Sequence, residues 1–229
     1  MGDETRKTNQ VRGQNFINQY FKGNVIDIGG GQDPVTPSAK VFDLKDGDAQ
    51  HILKYEASES YDCVNSSHCL EHMKNVPEAL SGWWELVKKN GYMVITVPHE
   101  DLYEQKIWPS MFNNDHKSTF RLNQKDTWSN VSYDLQVLCD SLNSAVIVNC
   151  CIQDEGYDYN LQYKKIPLKF KRIYQWQFSK NTLKKKFGRF IYQFLYNQYY
   201  LNSCYKVGSP IDQTSGGALA QIQIVLQKK

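Results

Sequence analysis

Residues Val25–Pro34 read VIDIGGGQDP: an apolar run ending in an aspartate, then three glycines, a second acid and a proline. Glycine has no Cβ and tolerates positive φ, so a strand that runs out into glycines leaves bare backbone open to a close ligand. The same change from apolar to polar recurs further on. KVFDL (Lys40–Leu44) reads as a second short strand and YDCVNSSH (Tyr61–His68) as a third. YMVITVP (Tyr92–Pro98) is almost wholly apolar, as in a strand buried on both faces of a parallel sheet. Helical signals lie between and around these strands. Thr8–Phe21 carries Val11, Phe16, Ile17 and Tyr20 at helical spacing, and Gln124–Leu142 predicts another helix. Asn75 or Pro77 opens a helix through Leu80, Trp84 and Val87, which Asn90-Gly91 is expected to end. SAVIVNCCIQ (Ser144–Gln153) and LAQIQIVLQ (Leu219–Gln227) are the last strands, and the strict alternation of the second predicts one more exposed face. Strands alternating with helices predict an α/β sheet whose ligands sit at the carboxyl ends of the strands.

The chain's 229 residues suffice for one domain with a buried core, and 41% hydrophobic with 22% charged residues is ordinary for a soluble protein. A net charge of +3 gives no global argument for nucleic acid. No apolar run approaches the roughly 20 residues of a membrane span, and MGDETRKTNQ at the start has no signal-peptide character. The six cysteines show no CxxC spacing, which predicts reduced thiols in a cytoplasmic protein. We find no internal repeat. The expected organisation is a single domain over 1–229, with an insertion or lid at 155–209 before the final strand.

Two cofactor classes use a strand that ends in glycines: dinucleotides and S-adenosylmethionine. The dinucleotide fingerprint runs into a helix whose N-terminus holds the pyrophosphate. Here Pro34 and Pro37 intervene, and the next strand begins too soon after Gly31 for a crossover helix. S-adenosylmethionine carries no phosphate and needs no such helix. Asp43 ends the second strand, where a carboxylate can accept from both ribose hydroxyls. Asp48-Ala49 offers an acceptor and space for an adenine ring. SSHCLEHM (Ser66–Met73) closes the third strand with a polar cluster.

The order VIDIGGGQDP, VFDLKDGDAQ, YDCVNSSHCLEHMKNVPEAL and VKKNGYMVITVPHEDLYE resembles the class I S-adenosylmethionine-dependent methyltransferases. It is most similar to small bacterial enzymes of capsule and O-antigen polysaccharide clusters. The resemblance spans Asn24 to Phe120 and the terminal strand. It implies a Rossmann-like, mostly parallel sheet, from whose pattern this chain departs by abbreviated N-terminal crossovers; the composition adds a basic aromatic insertion before the last strand. It further implies that Asp27 and Gly29, Gly30 and Gly31 hold the methionine end of the cofactor. Asp43 and Leu44 would lie at the ribose, Asp48 and Ala49 at the adenine edge, and Ser66, Ser67 and His68 on the sulfonium side.

The chemistry needs alignment of nucleophile, methyl and sulfur, and an oxygen or nitrogen nucleophile must also lose a proton. Candidates cluster in PHEDLYEQKIWPSMFNNDHKSTF (Pro98–Phe120). His116 is the first choice of base, because histidine titrates near neutral pH and Asp115 or Glu104 can orient it. His99 is placed nearly as well, Tyr103 is nearby, and His72 is expected to support the loop. His99, Glu104, Asp115 and His116 are also possible ligands for a divalent ion, but their spacing matches no closed ligand motif, and no metal is expected.

Ten Lys or Arg fall between Lys164 and Arg189 with no Asp or Glu. A solvated helix face, a clamp on an anionic acceptor, a stacking platform for single-stranded nucleic acid and a membrane-surface contact all suit such a segment. The expected acceptor is a small molecule or a lipid- or nucleotide-linked glycan, anionic in character. Methyl transfer to an oxygen of a sugar, phosphoramidate or other capsule precursor is the leading expectation. The rivals are an RNA or nucleotide methyltransferase, using Lys184-Lys185-Lys186, and a non-catalytic scaffold of the same fold.

Overall fold

The computed structural model describes residues 4–163, 173, 175–200 and 210–229. In chain order these form α1 (Glu4–Tyr20, interrupted at Gly13), β1 (Val25–Ile28), β2 (Lys40–Phe42) and β3 (Tyr61–Ser67). There follow α2 (Val76–Glu85), β4 (Val87–Pro98), β5 (Thr119–Arg121) and β6 (Ser132–Asp134). The chain continues through α3 (Leu135–Asp140), β7 (Ala145–Gln153), α4 (Thr182–Tyr200) and β8 (Gln221–Lys228). Six strands make one sheet in the order β2-β1-β3-β4-β8-β7, and β5 pairs with β6 in a small second sheet. The pairs β1–β2, β1–β3 and β3–β4 are parallel, whereas β8 runs antiparallel to both β4 and β7. Tyr157 donates from its hydroxyl to Leu102 O at 2.9 Å and Gln162 Nε2 to Asp101 O at 2.6 Å, so the start of the expected insertion is tied to the chain leaving β4. Its residues 164–172, 174 and 201–209 lie outside the described residues.

Side-chain alternation along the strands supplies two cores. Ile26, Ile28, Val64, Met93, Ile95, Ile222, Ile224 and Leu226 pack with Leu80, Trp83 and Trp84 of α2 on one face. Val25, Cys63, Val94 and Val225 point the other way, to Tyr20 and Phe21 at the end of α1. Both faces being covered, Tyr92–Pro98 of β4 is almost wholly apolar, and the buried polar pair Asp27 and Asn65 of the neighbouring strands bond to each other. No helix lies between β1 and β2, and only a 3-10 segment, Ala49–Lys54, lies between β2 and β3, so the short crossovers read from the sequence are present.

Three local expectations are corrected. The helix opened by Asn75, which caps Glu78 N–H, stops at Glu85 and not at Asn90-Gly91. Val87 is already paired with Tyr61, and the register then jumps to Cys63–Tyr92, leaving 88–91 as an irregularity inside β4, with Asn90 at φ 64°. Gln124–Leu142 is not one helix. Its middle becomes β6 because Ser132–Asp134 pairs with Thr119–Arg121, and Asp134 then caps the short α3. Strand pairing and capping here override a periodicity that is only a local preference.

The third correction concerns β8, whose polar side chains at Gln221 and Gln223 are buried. Arg12 of α1 explains this. Its Nε donates to Gln223 Oε1 at 2.6 Å and one terminal nitrogen to Thr96 Oγ1 at 3.0 Å. Burial lowers the guanidinium pKa to about 10, with Asp27 acting in the opposite direction. Removing a buried donor strands its acceptors, each at about 1–3 kcal/mol. We therefore expect Arg12→Ala to destabilise the fold by about 2–4 kcal/mol, read as a fall in the urea midpoint.

Candidate active site

The glycine turn lies where the carboxyl ends of β1, β2 and β3 meet. Gly29 has φ 81° and donates its N–H to Phe42 O at 2.9 Å. A Cβ at this position would stand 2.8 Å from Cys69 Cβ, so chain from the end of β3 approaches the turn too closely for a side chain. Gly31, at φ 55°, is different: a Cβ there would meet only Asp43 Oδ2, at 3.7 Å. This leaves an open face of backbone beside a carboxylate. Gly30 links the two, and its carbonyl accepts from Asp33 N–H at 3.1 Å.

Asp27 is buried, and both of its oxygens are engaged within the protein. Oδ2 accepts from Val35 N–H at 2.7 Å and Oδ1 from Asn65 Nδ2 at 2.6 Å, pinning the far side of the glycine turn to β3. Burial raises its pKa, against the two hydrogen bonds and Arg12. Asp43 is half-buried, and among the described residues its Oδ1 accepts only from the adjoining Leu44 N–H, 2.7 Å away. Leu44 itself is 92% exposed, an apolar group left to solvent next to that carboxylate. Asp48 caps the 3-10 segment through Gln50 N–H, and Ala49 opens that segment. Ser66 and Ser67 carry buried hydroxyl oxygens with no hydrogen-bond partner among the described residues. Open backbone at Gly31, an Asp43 oxygen without a hydrogen-bond partner among the described residues, an uncovered leucine and two buried hydroxyls unpaired among those residues fit a ligand with polar and planar apolar parts.

Beyond Ser67 the chain places His68 at φ 54°, then Glu71 and His72 in a 3-10 turn. The β4–β5 connection brings Glu104, Asp115 and His116 against them, with Lys117 and Ser118 N–H both bonded to Glu71 O. His116 Nδ1 lies 2.7 Å from Glu104 Oε1, and an ionised carboxylate can only accept, so this nitrogen carries the proton. His72 Nδ1 lies 3.0 Å from Asp115 Oδ2. The rings of His72 and His116 meet edge to face at 5.0 Å, and Tyr103 lies over His116 at 5.4 Å. Four of the five residues expected to be catalytic (His116, Glu104, Asp115 and Tyr103) thus come together. Burial pushes the Glu71 carboxyl up, but the contact with His68 and the charges of His68, His116 and His72 outweigh it and hold the pKa below its ordinary value. Glu71 was not singled out from sequence. Its one signal is position, since it follows the polar end of β3 and is flanked by His68 and His72.

His99, the fifth, stands elsewhere. It follows β4 and lines a cavity of about 490 Å³ with Asp101, Lys106, Tyr159 and Gln162. Its Nδ1 accepts from Asp101 N–H at 3.1 Å, so the neutral ring carries its proton on Nε2, which has no partner among the described residues. That nitrogen can donate to a ligand but has no lone pair with which to take a proton. Neighbouring Glu100 is engaged by Thr119, Thr127 and Ser132 and anchors the small sheet. Burial lowers the His99 pKa, against Asp101 and Glu100. The unfolded chain, with the ordinary value near 6.5, therefore takes up a proton first on acidification. Stability should fall as pH drops below about 6.5 towards the folded value, and His99→Gln should flatten that slope in urea titrations from pH 7 to 5.

The sequence matches the family described as methyltransferase domain over residues 10–128. A S-adenosylmethionine-dependent methyltransferase from Archaeoglobus fulgidus superposes with a TM-score of 0.49 at 18% identity, covering 97% of this chain and 94% of that one. The YcgJ protein of Bacillus subtilis does so with a TM-score of 0.47 at 12% identity, covering 92% and 93%. No curated protein matches. More than half of the chain, including β1 to β4, falls within the family match, and the chain belongs to the methyltransferase-domain family as a class I S-adenosylmethionine-dependent methyltransferase.

Proposed function

We propose that the chain methylates a hydroxyl oxygen of a small, polar, anionic acceptor, and that the glycine turn and the histidine–carboxylate cluster are the two halves of one active site. The observation that carries this reading is the cluster itself, held on the chain just beyond Ser66 and Ser67. S-adenosylmethionine, when bound, supplies a methyl group on a sulfonium that leaves as a neutral thioether. The turn Gly29, Gly30 and Gly31, open at Gly31 and braced by Asp27, takes the amino-acid end. Asp43 Oδ2 accepts from the ribose hydroxyls, Leu44 covers the base, Asp48 and Ala49 border it, and Ser66, Ser67 and His68 line the reactive side. The acceptor's proton leaves towards the cluster, whose available lone pair is Nε2 of His116, Glu104 holding the tautomer. His99 donates from Nε2 to an acceptor oxygen in the adjoining cavity.

A precursor of surface polysaccharide, bearing a sugar or phosphoramidate, is the acceptor we favour, with the reaction in the cytoplasm and 155–209 acting as a lid within a single domain. Two things support it: the resemblance of the motif order to capsule-cluster enzymes, and the character of α4. There Lys184, Lys185, Lys186 and Arg189 accompany Leu183, Phe187, Phe190 and Phe194, all four apolar groups more than half exposed. A basic helix with an exposed apolar stripe suits a lipid-linked anionic acceptor met at a membrane surface. No helix among the described residues is long and apolar enough to cross a membrane.

The test is to incubate the protein with methyl-labelled S-adenosylmethionine and separate fractions of nucleotide-linked sugars, lipid-linked glycans and RNA. Label in a hydroxyl of either glycan fraction is the expected result. Label in RNA alone, or in no fraction, would overturn the acceptor assignment.

A further inference from the structure

Three histidines surround Glu71, and the outer nitrogens of two of them, His116 and His68, are hydrogen-bonded. His116 Nδ1 is held by Glu104 at 2.7 Å, whereas His72 Nδ1 lies 3.0 Å from Asp115 Oδ2 without hydrogen-bond geometry. His68 Nε2 lies 2.8 Å from Gln221 Oε1, in an amide whose orientation is set by donation to Thr8 and Gln153. In the neutral rings of His116 and His68 the inner nitrogen then presents a lone pair to Glu71. That carboxylate is 1% exposed, and neither oxygen accepts a well-formed hydrogen bond from any described residue. Lone pairs converging on a buried carboxylate repel one another unless positive charge lies between them.

The charge could be protons on the rings or a cation. Protonated rings would close on the carboxylate to the usual N–H···O distance of about 2.7–3.2 Å. Instead, His68 Nδ1, His116 Nε2 and His72 Nε2 stand 3.5, 3.9 and 4.0 Å from Glu71 Oε1. One donor atom from each of Glu71, His72 and His116 lies within 4.8 Å of the other two. Ligands at zinc distances of ~2.0–2.2 Å are separated by roughly 3.3–3.6 Å, so side-chain movements of about half an ångström to one ångström would close the set. The carboxylates behind His116 and His72 are what orients ligating imidazoles in metal sites. We propose that Glu71, His72 and His116 bind a divalent transition-metal ion of the zinc class, with one coordination position left open. Two imidazoles and one carboxylate favour such an ion over Mg²⁺, which prefers an all-oxygen shell. This set differs from the one weighed from sequence: Glu104 and Asp115 move behind the ligands, and His99 is not part of it.

With the ion in place His116 Nε2 would be a ligand, so a hydroxyl at the open position, losing its proton at lower pH, would pass it to solvent water and not to that nitrogen. That use of the ion rests on the proposed hydroxyl acceptor; the ion site itself does not. The test uses the untagged full chain, stripped with chelator and titrated with Co²⁺, whose four-coordinate complexes absorb strongly in the visible. Calorimetry with S-adenosylhomocysteine on the same samples reports an intact fold. One Co²⁺ per chain is expected, with the band lost in His116→Ala and in the size-conserving Glu71→Gln, and affinity weakened ~10–100-fold in Asp115→Asn. Absence of a saturable band from wild-type protein that binds S-adenosylhomocysteine would overturn the ion site and leave the methyltransferase reading standing. Persistence of the band in Glu71→Gln and His116→Ala would overturn it equally. Co²⁺ binding with no hydroxyl methylation in any fraction would sink the acceptor assignment and leave the ion site.

Discussion

Replacing Asp43 by alanine should weaken S-adenosylhomocysteine binding by roughly 100-fold or more while leaving the fold intact. The magnitude follows from two hydrogen bonds between ribose hydroxyls and a charged acceptor, each worth ~1.5–3 kcal/mol. Tenfold in affinity corresponds to about 1.4 kcal/mol, so a loss of about 3 kcal/mol already exceeds two decades. The fold should tolerate the change because Asp43 is half-buried and, among the described residues, its Oδ1 bonds only to the adjoining backbone at Leu44. Asp27 offers the contrast. Its oxygens bond Val35 N–H and Asn65 Nδ2, so Asp27→Ala should lower the thermal midpoint as well as affinity. Calorimetric titration of both variants with S-adenosylhomocysteine, beside melting curves, separates the two roles. Affinity within threefold of wild type in Asp43→Ala would show that the ribose lies elsewhere.

The second large effect is expected at His116. With a proton acceptor positioned at the transition state typically contributing ~10²–10⁴-fold, His116→Ala should slow methyl transfer by that range. Binding of S-adenosylhomocysteine should be unchanged, because the residue belongs to the cluster and not to the glycine turn. The rate can be read as label passing from S-adenosylmethionine into the responsive acceptor fraction. His99→Ala should cost less and act mainly on acceptor affinity, since Nδ1 is occupied by Asp101 N–H and Nε2 can only donate. Equal rates in wild type and His116→Ala would remove the proton-transfer role from this histidine.

Much of the local geometry of the candidate cofactor site was legible from sequence, for a physical reason. Strand endings, glycine turns and the acids that follow them are short-range features: Asp27, the three glycines, Asp43 and Ser66 each sit at a strand terminus that propensity alone locates to within a residue or two. The short crossovers were legible as well, because Pro34 and Pro37 and the scant spacing leave no room for a helix. The Gln124–Leu142 segment was not, since a helical period there competes with pairing of Ser132–Asp134 against Thr119–Arg121, which no local window contains.

Burial of polar groups lay equally out of reach. Alternation in QIQIVLQ suggested an exposed face, yet Gln221 and Gln223 are covered because Arg12 and Thr8, from the opposite end of the chain, supply their partners. The histidine cluster follows the same logic. Sequence could name His116 and its neighbours as candidates, and could not know that the β4–β5 connection folds back onto Glu71 and His72. By itself, then, the sequence determined the mostly parallel α/β frame and the strand ends that run out into glycines and acids, through backbone preferences acting over a few residues. Only the tertiary structure decided which titratable groups share a buried volume and which nitrogen of each ring faces inward, because those depend on hydrogen bonds and burial between distant segments.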